Sequence, residues 1–138
     1  MTYSLRLFND IKVFLKKAIK PWRDEIYKRQ SGRCRISNQY RNVDIHHVSK
    51  SFSCIVGETF AITGIQYRPS TNDYSAAELN LLAATILALH KNVQATLVAR
   101  RLHAEYHRQY GNDCTADNWR EFKSQYKPRR RNNIKKIA

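Results

Sequence analysis

The segment AAELNLLAATILALH, residues 76–90, is apolar almost all the way round a helix. Such a helix has to be covered by other parts of the chain. Ser75 stands before it and Glu78 follows three residues later, a capping box that sets its start. The remaining sequence is of opposite character: 25 Lys and Arg against 11 Asp and Glu give a formal charge of +14 over 138 residues. That length suits one domain with short appendages. The hydrophobic share of 42% and the aromatic share of 11% are enough for a core. A pI of about 10.1 makes polyanions the natural partners, nucleic acid first among them. No stretch approaches the ~18–20 consecutive apolar residues of a membrane span, and residues 1–20 lack the apolar block and cleavage site of a secretory signal. Cys34, Cys54 and Cys114 are odd in number and widely spaced. They exclude a dense disulfide framework and any CxxC zinc knuckle. The simplest expectation is a reducing, intracellular (cytoplasmic) setting with no disulfide-linked partner.

Along the chain, Leu5, Phe8, Ile11, Phe14 and Leu15 lie at helical spacing within residues 4–19. Pro21 interrupts and opens a second helix over 21–30, stopped by Ser31-Gly32. Two short extended segments are expected next, Cys34–Ser37 and Asn42–His46, with Asn38 to Arg41 as the turn between them. A helix over 50–62, a loop over 63–73 and the apolar helix 76–90 follow, the last read as buried with His90 as a cation at its negative end. Val93–Ala99 reads as a strand, Arg100–Tyr110 as a helix ending at Gly111, and 116–126 as a last helix capped by Thr115. From Lys127 onward the tail KPRRRNNIKKIA has six cations and no acid. On a nucleic-acid protein it would neutralise phosphates without reading sequence; otherwise it is a solubilising end.

Four of the five histidines fall into two tight pairs. His103 and His107, four apart on an expected helix, project from one face and can ligate one metal ion. His46 and His47 are adjacent at the end of an expected strand, so they point to opposite sides and have different jobs. Asp44 shares the strand face of His46 and can orient a ligand imidazole, touch the metal itself or remain an exposed carboxylate.

These residues carry a resemblance. The run Trp22, then Cys34-Arg35-Ile36-Ser37, then Asp44-Ile45-His46-His47-Val48 resembles the opening half of the HNH nuclease family. Leu102-His103, Tyr106-His107, Tyr110-Gly111, Thr115 and Glu121-Phe122 resemble the closing half seen in phage and mobile-element members. The resemblance implies an α+β fold with a ββα-metal core: a short antiparallel hairpin plus a metal-binding helix, wrapped by further helices. On that reading residues 1–32 are an N-terminal helical arm, 33–126 the core with a helical insert at 50–90, and 127–138 a basic tail. It implies a DNA endonuclease that hydrolyses phosphodiester bonds by nicking or double-strand cutting, of the homing-related type. His46, His103 and His107 would hold one divalent ion (Mg, Mn, Ni or Zn), with Asp44 behind them, and His47 would be the general base. The residue that braces the hairpin loop in that family corresponds to Asn92, or to Gln94 in an ungapped alignment. Arg100, Arg101 and Arg108 beside the helix, and Arg129, Arg130 and Arg131 in the tail, are the candidate phosphate contacts.

The chain departs from the family where two CxxC pairs hold a structural zinc: Cys34 has no such partner, and Ala99 and Leu102 stand where cysteines are expected. Two other readings therefore stand beside the nuclease. One is a nucleic-acid-binding protein on a catalytically degenerate scaffold. The other is a basic adaptor or inhibitor whose histidines hold a purely structural zinc.

Overall fold

The protein is described by a computed structural model over residues 10–112 and 114–126. The Leu5 and Phe8 positions and the whole basic tail, with Arg129, Arg130 and Arg131, lie outside the described residues. The chain is of mixed α+β class, with elements in the order α1 (Asp10–Ala18), α2 (Lys20–Arg29), β1 (Val43–His47), α3 (Phe52–Thr63), a 3-10 turn (Thr71–Asp73), α4 (Ala76–His90), β2 (Ala95–Ala99), α5 (Arg100–Tyr110) and α6 (Ala116–Ser124). It divides into two compact units. One takes the described residues up to Glu25 together with Phe52–Asn92; the other takes Ile26–Ser51 and everything described from Val93 onward. Residues 26–32 thus group with the strands, and the helical insert groups with α1. No helix among the described residues is long and apolar enough to cross a membrane, and Cys34, Cys54 and Cys114 form no disulfide with one another.

The first unit is helical. Pro21 has no N–H to give to Lys17, so the helix breaks at Ile19 and restarts as α2. Ile11 and Leu15 of α1 and Ile55 and Val56 of α3 are buried, and both helices pack against α4. The capping box is present: the Ser75 hydroxyl accepts from Glu78 N and the Glu78 carboxylate accepts from Ser75 N. Helix α4 is less enclosed than its composition suggests. Only Leu82, Ile86 and His90, one stripe at four-residue spacing, are fully buried, while Leu81 is half exposed. The cation expected at His90 is also corrected. The ring is buried, packs edge-on to Trp22 with 4.7 Å between centroids, and its Nδ1 bonds the Ile86 carbonyl at 2.8 Å. Burial pushes its pKa below the ordinary imidazole value, so it serves the helix end as a neutral donor.

In the second unit β1 and β2 pair antiparallel, with Val43 opposite Ala99, Ile45 opposite Leu97 and His47 opposite Ala95. The first expected strand, Cys34–Ser37, is absent. The Cys34 thiol accepts N–H bonds from Ile36 (3.3 Å) and Ser37 (3.2 Å), and Asn38 N returns to the Cys34 carbonyl, which curls the segment into a turn. Burial works to raise the thiol pKa, and the bonds from Ser37, Ile36 and Ala99 outweigh it, leaving the net shift downward. One bond from this turn, Arg35 N to the Leu97 carbonyl, reaches β2. The outer edge of β2 is otherwise closed by the Gln30 side chain, which donates to the Ala95 carbonyl and accepts from Leu97 N. Helices α5 and α6 bury Leu102, Tyr106, Trp119 and Phe122 in one apolar cluster with Cys34, Ile36, Val43 and Val98. Gly111, at a φ of +64°, ends α5 and turns the chain toward Thr115, which caps α6 through Asn118 N.

Candidate metal centre

Period two along β1 places Asp44 and His46 on one face and His47 on the other. His46 is 0% exposed, with its ring 4.3 Å from Tyr106 and 4.7 Å from Trp119 by centroid. Neither of its ring nitrogens has a hydrogen-bond partner among the described residues. A buried imidazole with two unsatisfied nitrogens is costly. Burial, with the neighbouring His103, His107 and His47, pushes its pKa down to about 3.

His103 and His107, four apart on α5, share the face turned to His46, with centroids 5.3 and 5.9 Å from it. Their tautomers follow from their partners. His103 Nδ1 lies 3.1 Å from the Asp44 carboxylate, and His107 Nδ1 lies 2.7 Å from the Gly111 carbonyl. A carboxylate and a carbonyl only accept, so each Nδ1 carries the hydrogen. That tautomer leaves Nε2 of each ring to offer a lone pair, and the two Nε2 atoms are 3.1 Å apart. Two nitrogen ligands of a tetrahedral zinc stand about 3.3 Å apart. Burial lowers the His103 pKa, and the Asp44 hydrogen bond opposes that shift.

Asp44 also accepts from Arg100 Nε at 3.3 Å. Among the other expected phosphate contacts, Arg108 pairs with Glu105 on its own helix and Arg101 is exposed. His47 is half-buried. Asn92, one of the two expected bracing residues, is exposed. At the other, Gln94, backbone groups close the loop. Val48 N donates to the Gln94 carbonyl at 2.8 Å, and Gln94 N donates to the Ser49 hydroxyl at 3.0 Å.

One residue was missed. The Cys114 thiol lies with His46 and His107 so that one donor atom from each falls within 4.8 Å of the others. From sequence it reads as an incidental core cysteine; the signal that points to it is its place just past the glycine that ends the HxxxH helix. Donors of this kind, imidazole with thiol, suit a borderline-soft divalent ion, and the unsatisfied nitrogens of His46 fit such an ion. Comparison with family models, curated proteins and solved structures finds no match to this chain.

Proposed function

We propose that the chain is a metal-dependent endonuclease of the HNH (ββα-metal) type, hydrolysing phosphodiester bonds in DNA within a reducing, intracellular setting. The observation that carries this reading is the convergence of three imidazole rings, His46 lying 5.3 and 5.9 Å from His103 and His107 by centroid. His103 Nε2 and His107 Nε2 face each other as lone pairs at 3.1 Å, beside His46, whose nitrogens are both unsatisfied. Imidazoles gathered this closely suit a shared divalent ion.

His46, His103 and His107 would hold one divalent cation, with Asp44 and the Gly111 carbonyl fixing two of the rings through their Nδ1 hydrogens. When bound, such an ion supplies neutralisation of charge developing on a phosphate and on its leaving oxygen. His47, next in the strand and on its other face, is the imidazole left to take a proton from the attacking water. Arg100, at the start of α5, brings positive charge beside Asp44 and the His103 ring, and the net charge of +14 favours a polyanionic substrate.

The test is cleavage of supercoiled plasmid across a panel of Mg²⁺, Mn²⁺, Ni²⁺ and Zn²⁺. Relaxed or linear product that EDTA abolishes is expected. His47→Ala should lose turnover by about 10²–10⁴-fold while keeping DNA binding. Salt-sensitive binding without cleavage under any metal would overturn the nuclease in favour of the degenerate, binding-only scaffold.

A further inference from the structure

We propose that Cys114 is a direct ligand of the same cation, so that the site is a mixed imidazole–thiolate centre rather than an all-histidine one. The inference rests on the metal-site reading above and assigns it a thiophilic ion. Three observations carry it. The Cys114 sulfur sits with one nitrogen each of His46 and His107 inside a 4.8 Å span. His46 is fully enclosed and both its nitrogens are unsatisfied, so the space the thiol faces holds an unmet donor. The turn that delivers Cys114 also orients His107: the Gly111 carbonyl takes the His107 Nδ1 hydrogen, Gly111 N returns to the His107 carbonyl, and three residues later the chain sets Cys114 against the cluster before Thr115 starts α6.

The chemistry is specific. A thiolate favours Zn²⁺ or Co²⁺ and disfavours Mg²⁺. Binding releases the thiol proton to solvent as the S–metal bond forms.

Titration of the full chain with Co²⁺ reads the sulfur directly. The expected result is tetrahedral d–d absorption together with a sulfur-to-cobalt charge-transfer band. Cys114→Ser should lose that band and weaken Zn²⁺ binding at least about tenfold, while Cys54→Ser keeps both. A second measurement needs no variant: saturating Zn²⁺ should block alkylation of Cys114 in the native protein and leave the exposed Cys54 reactive. Cobalt uptake with d–d bands but no charge-transfer band, or Cys114 alkylation unchanged by zinc, overturns the thiolate ligand alone. Absence of any cobalt or zinc uptake overturns the metal site itself, and with it the proposal.

Discussion

Asp44 binds two partners of different kind, the His103 ring and the Arg100 guanidinium. Its carboxylate settles which nitrogen of His103 carries the hydrogen, and therefore which one faces His107. Asp44→Asn keeps the shape but removes the charge, and its amide can present an N–H to Nδ1 and invert the tautomer. Metal affinity is expected to fall by about 10–100-fold with the fold unchanged, measured by competition against a chromophoric chelator; wild-type affinity in the variant would contradict the orienting role. At this scale the sequence was informative where chemistry follows from spacing. HxxxH on a helix brings the His103 and His107 rings to 4.7 Å by centroid, and the two-residue step from His46 sets Asp44 against His103. It was silent on Cys114, because a lone cysteine beyond a helix end has no periodicity to betray it. It misdirected on His90, because a residue at a helix terminus is equally compatible with solvent and with burial, and the decision rests with neighbours distant in the chain.

Among elements, the helices were legible and the first strand was not. Helices α4 and α5 start and stop where a capping box and a glycine put them. The segment at Cys34 has strand-like composition, yet it turns because a sulfur accepts two backbone N–H groups, a local competition that apolar patterning does not report. As a result β2 has only one neighbouring strand, and the Gln30 amide stands in for the other along its outer edge. Gln30→Ala leaves Leu97 N and the Ala95 carbonyl without these bonds. A loss of about 1–3 kcal/mol is expected, seen as a lower urea midpoint at unchanged m-value. An unchanged midpoint would show that water replaces the amide without penalty and that the edge needs no clamp.

The whole molecule carries its strongest pH dependence in the same histidines. Folding holds the pKa of His46 near 3 and lowers those of His90 and His103, whereas unfolding returns each toward ordinary imidazole values near 6.5. The unfolded chain therefore binds more protons below pH ~6.5, so stability is full above that value and declines as the pH falls toward 3, with His46 spanning the widest window. Each proton taken up on unfolding contributes a slope of up to about 1.4 kcal/mol per pH unit. Urea unfolding between pH 7.5 and about pH 5 should show this decline, and a flat profile would mean that His46 is not held neutral in a dry pocket. A further consequence follows from the pairing of His47 with Ala95 across the insert Phe52–Asn92. During synthesis at roughly 5–20 residues per second, the nascent chain holds β1 without its partner strand for seconds before β2 leaves the ribosome. Any ion held at this site would thus bind late in the life of each copy, after the intervening helices have been made.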